Sequence, residues 1–384
     1  MDRCSLSKPF LPSLVLLALS AAGSAQLGSV ESVVEISGSE AGEFGASLAW
    51  LGDLDGDGNG DLVVGAQAAN RAWTLFLNAD GTVASSQEIA EGVGGFGGDL
   101  DLLDSFGFCV ATLGDLDGDG VTDVAVGAPF DDDGGSGRGA VWILFLNVDG
   151  TVKAEQKISA TEGALGGPLD NGDNFGMSIA ALGDLDGDGI EDIAVGASGD
   201  DDVDGNSGAL WILFLNTDGT VGGEQKVSQS AGGFPGDLSQ HGVFGSAAAA
   251  LGDLNGDGVV DLGVGAPSNG PPQPEVWVVF MNADGTVDDA QKLDLGEFSA
   301  NFGSSIAAIG DLDGNGVMDT HFGQVLAGGP LYLQRSRAHA GSVVEFAETV
   351  PFDLSLVGLS ASSQGVCTGG GVSLSNALDV VVGF

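Results

Sequence analysis

The chain has 384 residues, of which 55 are Asp or Glu and 10 are Lys or Arg, so its formal net charge is −45 at pH 7. Nucleic-acid binding depends on Lys and Arg that neutralise phosphates, so this charge excludes nucleic acid as a partner. Three cysteines in a chain of this length exclude a disulfide framework.

The first 25 residues have the pattern of a secretory signal peptide. Arg3 and Lys8 precede an apolar run that ends at Ala22, and Ala25 offers a cleavage position after small residues. This run is too short for a membrane span, and no longer apolar stretch follows, so we expect no transmembrane segment after signal removal. The sequence therefore predicts a protein that is secreted and acts outside the cell or at its surface.

A unit of four predicted strands then repeats five times. The first strand follows a Phe-Gly pair and is made of small apolar residues, and the second follows an acidic loop and is rich in β-branched residues. The third carries a Trp in an apolar run such as WILFLN, and an Asp-Gly turn leads into a polar fourth strand. The repeats lie near residues 44–90, 106–159, 175–228, 244–294 and 302–346. Residues 27–37 resemble a lone fourth strand, which we interpret as a closure strand for the last repeat.

These repeats predict an all-β fold, a β-propeller built from four-stranded antiparallel blades over residues 26–346. Five blades are clear, and residues 347–384 form either a degenerate sixth blade or a tail. The composition changes near this boundary, because residues 321–384 contain four acidic residues against 50 in residues 26–320. A smaller ring, an incomplete ring and a ring completed by another chain all stay open.

Each repeat has a nine-residue acidic loop between its first two strands. Asp or Asn occupies positions 1, 3, 5 and 9, Gly occupies positions 4 and 6, and position 7 varies, as expected of a backbone carbonyl ligand. Calcium takes six to eight oxygen ligands from such alternating positions. The candidate ligands are Asp53, Asp55, Asp57, Asn59 and Asp61; Asp115, Asp117, Asp119, Val121 and Asp123; Asp184, Asp186, Asp188, Ile190 and Asp192; Asp253, Asn255, Asp257, Val259 and Asp261; and Asp311, Asp313, Asn315, Val317 and Asp319.

Calcium fits these loops better than magnesium or zinc does, and the loops do not have the pattern of an EF-hand. Magnesium prefers rigid octahedra with several waters, and zinc prefers His or Cys, which the loops lack. An EF-hand needs Glu at position 12 and a following helix, whereas these loops have Val or Phe there and lead into a strand. Acidic β-turns without metal account for one such loop better than for five in register. We therefore predict about five Ca²⁺ ions that act as a folding cofactor.

Phe-Gly, the acidic loop and Gly-Ala-Pro recur together, as at Phe106-Gly107, Asp115–Asp123 and Gly127-Ala128-Pro129. This combination resembles the FG-GAP repeat, which builds the N-terminal β-propeller of integrin α subunits and occurs in bacterial secreted proteins. The resemblance covers residues 44–323 and implies a β-propeller with calcium in hairpin loops on one face. The first and third repeats lack the Pro, and the fifth ends in a divergent Thr320–Gly323.

No constellation of catalytic residues accompanies the repeats, so we expect no enzyme. None of the three histidines lies near a nucleophile signature. The expected function is an adhesion or interaction module for extracellular protein or glycan ligands. A carbohydrate-active enzyme on a propeller scaffold and a purely structural envelope protein are the alternatives, because one fold hosts many functions.

Several segments and residues have two interpretations at this level. The acidic segments 130–139 and 199–208, and 99–104 and 170–173 before the Phe-Gly pairs, are either ligand-contact surfaces or solvated loops. The third-strand Trp residues fit a core between blades better than sugar platforms. Cys109, in the first strand of the second repeat, is expected to be a small buried hydrophobe.

Overall fold

The computed structural model describes residues 13–19, 30–37, 43–201, 205–238, 242–267, 274–293, 302–308, 320–323, 332–339, 342–349, 360–364 and 377–381. The chain divides into two compact units, Met1–Leu16 with Val34–Val325, and Leu17–Val33 with Leu326–Phe384. Strands β1 (Ser13–Leu19) and β2 (Val30–Ser37) pair with each other. The roles of these segments as signal peptide and closure strand remain predictions.

Four sheets each contain four consecutive antiparallel strands in the order of the chain. The first sheet has β3 (Ser47–Gly52), β4 (Asp61–Ala66), β5 (Arg71–Leu77) and β6 (Val83–Ile89), with a short 3-10 turn at Gln67–Ala69; the second has β7 (Val110–Gly114), β8 (Asp123–Ala128), β9 (Ala140–Leu146) and β10 (Val152–Ile158); the third has β11 (Phe175–Gly183), β12 (Asp192–Ala197), β13 (Ala209–Leu215) and β14 (Val221–Val227); the fourth has β15 (Ala247–Gly252), β16 (Asp261–Ala266), β17 (Glu275–Met281) and β18 (Val287–Lys292). This all-β architecture confirms the predicted four-stranded blades.

The remaining strands pair in twos. Strands β19 (Ser305–Ala308) and β20 (Thr320–Gly323) are the first two strands of the fifth repeat. Strands β21 (Tyr332–His339) and β22 (Ser342–Thr349) form one hairpin, and β23 (Ser360–Gln364) pairs with β24 (Ala377–Val381). The fifth acidic loop lies outside the described residues, and the boundaries of the last repeat and of the tail remain predictions.

The third strand of the second sheet is buried along its whole length because neighbouring sheets cover both of its faces. On β9, Ile143 and Phe145 pack with residues of the third sheet, whereas Trp142 and Leu144 pack with residues of the first. This explains why the strand is continuously apolar rather than alternating. Each such side chain contributes about 1.5–3 kcal/mol by burial. The fourth strand, β10, is more exposed, in agreement with its polar sequence.

The Phe-Gly pair of each sheet packs closely against the Gly-Ala of the sheet before it. The carbonyl oxygen of Gly107 lies 2.0 Å from the position that a Cβ on Gly65 would take. Gly107 itself has φ +89, a backbone conformation that favours Gly. The same close approach joins Gly127 with Gly176, Gly196 with Gly245, and Gly265 with Gly303. The two halves of the recurring motif therefore meet across each interface between sheets.

Aromatic residues fill the same interfaces. Phe106 is fully buried and stacks on Phe96 at 5.1 Å, and Phe96 meets the edge of Trp142 at 5.0 Å between ring centres. The equivalent Trp211 and Trp277 are also buried, as expected of a core residue. The third-strand Trp side chains of the second to fourth sheets therefore hold adjacent sheets together.

Cys109 has a more specific place than the sequence predicted. Its thiol lies 3.2 Å from the carbonyl oxygen of Gly176, to which it donates, in the way that the hydroxyls of Ser47 and Ser178 bond to the Gly of the next sheet. Burial raises the pKa of this thiol to about 12. Cys109 therefore replaces a hydroxyl donor rather than an apolar residue, and it is inert as a nucleophile.

Candidate metal centres

The acidic loops form the turns between the first and second strands of each sheet. We call them loop 1 (Asp53–Asp61), loop 2 (Asp115–Asp123), loop 3 (Asp184–Asp192) and loop 4 (Asp253–Asp261). In loop 1, Gly56 and Gly58 have φ +77 and +90, and an added Cβ would meet no atom within 4 Å at either position. The backbone conformation, not the space, therefore requires Gly at positions 4 and 6.

Hydrogen bonds from backbone to side chain fold each loop inward. In loop 1, Asp53 accepts from the Gly58 N–H at 2.9 Å, and Asp55 accepts from the Asp57 N–H at 3.1 Å. Asp57 accepts from the Asn59 N–H at 2.7 Å. Loop 2 repeats the three bonds at 2.8, 3.3 and 2.9 Å. Such local bonds favour a turn over continued strand, and they bring the carboxylates together before any ion is bound.

Position 9 has a second role that sequence reasoning missed. In loop 1, the carboxylate of Asp61 is buried and accepts the N–H of Leu54 at 2.9 Å and that of Leu77 at 3.1 Å. It thereby ties the loop to the end of the third strand. The same pair of bonds joins Asp123 to Leu116 and Leu146, Asp192 to Leu185 and Leu215, and Asp261 to Leu254 and Met281.

One signal in the sequence pointed to this role. Positions 3 and 5 accept Asn in some loops, whereas positions 1 and 9 are Asp in all five. An amide would bring its NH₂ group against one of the two backbone donors, so only a carboxylate satisfies both. Position 9 is therefore structural whether or not it also contacts a cation.

Burial favours the protonated form of these position 9 carboxyls. It raises the pKa of Asp123 and of Asp192 to about 6, against an ordinary 3.8, and the neighbouring Asp117 and Asp186 act in the same direction. Burial also raises the pKa of Asp61 and Asp261. A bound cation would favour the ionised carboxylates, so these sites are electrostatically suited to one.

Three loops bring carboxylate oxygens within 4.8 Å of one another, close enough to share a metal ion. The groups are Asp53, Asp55 and Asp57; Asp115, Asp117 and Asp123; and Asp184, Asp186 and Asp192. Loop 4 has Asn255 at position 3, whose amide donates to Asp257 at 2.8 Å, so it offers one carboxylate fewer. All donors are oxygen, which fits a hard divalent cation rather than zinc.

The family comparison agrees with this geometry. The model of the FG-GAP repeat matches residues 44–85, 110–144 and 175–213, and that of an FG-GAP-like repeat matches residues 253–320. The chain is an FG-GAP repeat protein. All five acidic loops of this FG-GAP repeat protein lie inside the matched segments.

Integrin α subunits are among its curated relatives. Integrin alpha-PS5 of Drosophila melanogaster is 36% identical over 167 residues, which cover 43% of this chain and 15% of that protein. Integrin alpha-5 of Xenopus laevis is 34% identical over 229 residues, which cover 58% of this chain and 20% of that protein. The FG-GAP repeat protein thus matches a fifth or less of the length of these two relatives.

Among solved structures, a protein from Lactobacillus plantarum aligns with a TM-score of 0.49 and 16% identity over 88% of this chain and 82% of its own. Within the described part of the FG-GAP repeat protein, no helix has the length and apolar character needed to cross a membrane.

Proposed function

We propose that this protein is a secreted interaction module whose blades are stabilised by Ca²⁺ and whose partner is an extracellular protein. The observation that carries the proposal is the common geometry of the loops, which gather oxygen donors at the same end of each sheet. The similarity to integrin α subunits supports an adhesion or interaction role. No catalytic role is part of the proposal.

In each loop the ion would be held by the side chains at positions 1, 3, 5 and 9 and by the carbonyl at position 7. Bound calcium supplies positive charge among carboxylates that otherwise repel one another. The chain contributes the preformed turn and the bonds from position 9 to the third strand. A site at 100 times its dissociation constant stabilises the fold by about 2.7 kcal/mol.

A surface for the partner lies at the other end of the sheets. Leu102 and Leu103 are 95% and 80% exposed, and Phe130 is 41% exposed. The Phe130 N–H donates to the Asp104 carbonyl at 3.3 Å, and its ring lies 6.3 Å from that of Phe108, so the two connections are adjacent. We call Leu102, Leu103, Phe108 and Phe130 the apolar edge. Contiguous exposed apolar groups are a feature of interaction sites, which supports this assignment.

The charge around the apolar edge indicates the chemistry of the partner. Its two segments also carry the exposed carboxylates Asp99, Asp101 and Asp132. A complementary surface presents Lys or Arg around an apolar anchor. Leucine side chains offer contact area but no hydrogen bonds, which favours a protein over a glycan.

The metal part of the proposal is tested by thermal unfolding of the purified protein in rising calcium, then with EGTA, with magnesium as the control. We expect the melting temperature to rise by several degrees in calcium and to fall again in EGTA. A melting temperature that is unaffected by either addition contradicts a calcium-stabilised fold.

The partner surface is tested on arrays of extracellular proteins and of glycans in calcium buffer. We expect binding to basic proteins that is lost in a Leu102→Ser/Leu103→Ser double variant. Val148→Ser is the matched control, because Val148 is also exposed but lies in a hairpin turn at the loop end. Glycan binding that survives the double variant would argue for the other ligand class.

A further inference from the structure

Loop 2 differs from the other described loops by an ammonium group that the protein itself supplies. Lys153 lies on β10, the fourth strand of the same sheet. Its Nζ is 2.8 Å from Asp117 Oδ2 and also bonds to Asp119 Oδ2. These carboxylates are positions 3 and 5, two of the candidate calcium ligands.

The corresponding position in the other three described sheets carries no cation. Lys153 is the residue that follows the first Val of its fourth strand. In the first, third and fourth sheets that residue is Ala84, Gly222 and Asp288, and all three are exposed. Loops 2 and 3 carry the same residue types at all side-chain ligand positions, so the sequence provides its own internal comparison.

We infer that Lys153 is a built-in competitor for the cation site of loop 2. The inference rests on the proposed function, because it assumes that the loops bind calcium. Without the ion, the ammonium neutralises positions 3 and 5. Calcium binding at these carboxylates displaces the ammonium, because two cations held at the same oxygens repel each other.

The side chain is suited to this exchange. Lys153 remains 23% exposed at its side chain, and its flexible four-carbon stem allows the ammonium to move into solvent. Loop 2 therefore has an ammonium-closed and an ion-occupied state. Exposed ion pairs are modest in strength, so we expect calcium affinity at loop 2 to be about three- to tenfold lower than at loop 3, whose ligands are otherwise equivalent.

This difference gives the protein a graded response. Loops 1 and 3 fill before loop 2 as calcium rises. The second sheet keeps part of its charge compensation when calcium is low, because Lys153 remains in place. Lys153 thus sets the calcium range of one site without changing its ligands.

Two reciprocal variants test the inference in the full chain. Lys153→Ala removes the competitor from loop 2, and Ala84→Lys installs one at loop 1. The readout is the amide resonance of Gly120 in loop 2, Gly58 in loop 1 and Gly189 in loop 3, followed during a calcium titration. Lys153→Arg is the conservative control, since it keeps the positive charge.

In the native protein, the Gly120 midpoint should lie at a calcium concentration about three- to tenfold higher than the Gly189 midpoint. Lys153→Ala should bring the two together, Lys153→Arg should keep them apart, and Ala84→Lys should raise the Gly58 midpoint. In EGTA, Lys153→Ala should also lower the melting temperature. Equal midpoints in the native protein that Lys153→Ala leaves unchanged overturn this inference alone, whereas loops that never respond to calcium overturn the proposed function as well.

Discussion

The two ends of the second and third sheets neutralise buried carboxylates in different ways. At the loop end, position 9 Asp residues are held by backbone N–H groups, and on our proposal the positive charge comes from a bound ion. At the opposite end it comes from a lysine of the fourth strand. Lys157 Nζ lies 2.9 Å from Asp131 Oδ2 and 5.4 Å from the centre of the Trp142 ring.

An ion pair supplied by the chain also lies at this end of the other three four-stranded sheets, although its residues and their exposure differ. Lys226 lies 2.5 Å from Asp200 and 5.4 Å from the Trp211 ring in the third sheet. Lys292 pairs with Glu275 in the fourth sheet. In the first sheet the cation is on the third strand and the carboxylate on the fourth, with Arg71 2.6 Å from Glu88. The opposite end is therefore charge-compensated from within the chain, whereas on our proposal the loop end depends on ions from the medium.

The largest effect should come from removing the internal cation. Lys157→Met leaves the buried carboxylate of Asp131 without its ion pair, so we expect a loss of about 3–5 kcal/mol in the free energy of unfolding. Urea denaturation measures it, and the loss should be the same in calcium and in EGTA. Lys153→Met is the matched control, since that lysine is more exposed and should cost less than about 1 kcal/mol in EGTA. Equal losses for the two variants would remove the distinction between the ends.

Substitution of the position 9 Asp should lower the free energy of unfolding by a smaller amount. Asp123→Ala leaves the N–H groups of Leu116 and Leu146 without an acceptor, which should cost about 2–4 kcal/mol even in EGTA. Asp119→Ala, at exposed position 5, should cost under about 1 kcal/mol in EGTA and reduce mainly the calcium-dependent stabilisation. Urea denaturation with and without calcium separates the two roles. If both variants behave alike in EGTA, position 9 is only a ligand.

The sequence was sufficient to predict the strands and the loops because both recur with a local pattern. It did not predict the bonds from position 9 to the third strand, since Asp61 and Leu77 are 16 residues apart and the corresponding pair in the second sheet is 23 apart. The Lys157–Asp131 pair was missed for the same reason, because one partner lies in a variable connection. Contacts between sheets, such as that of Gly65 with Gly107, arise only when two repeats pack together, so the sequence of a single repeat does not predict them.

The smallest effect should be a calcium-dependent change in pH sensitivity. Burial raises the pKa of Asp123 and Asp192 at the loop end, and of Asp104 and Asp173 at the opposite end, to about 6. A folded-state pKa above the unfolded value means that the folded protein binds more protons between about pH 4 and 6. Stability from these groups is therefore highest at low pH and falls as the pH rises through 6.

Calcium should remove the contribution of the loop end to this pH dependence and leave that of the opposite end. In EGTA all four carboxyls contribute, so unfolding should need more free energy at pH 5 than at pH 7, by about 1 kcal/mol for each group. Saturating calcium keeps Asp123 and Asp192 ionised, so of these four carboxyls Asp104 and Asp173 remain to titrate. Groups with a lowered pKa, such as Asp149 beside the Thr151 hydroxyl, act only below about pH 4 and do not interfere.

Urea denaturation at pH 5 and 7, in calcium and in EGTA, gives the four free energies of unfolding to be compared. Asp104→Asn should remove part of the pH dependence that persists in calcium and leave the calcium-sensitive part unchanged. A pH dependence of equal size in calcium and EGTA would show that the loop carboxyls do not meet the ion, and that the charge of both ends is compensated from within the chain.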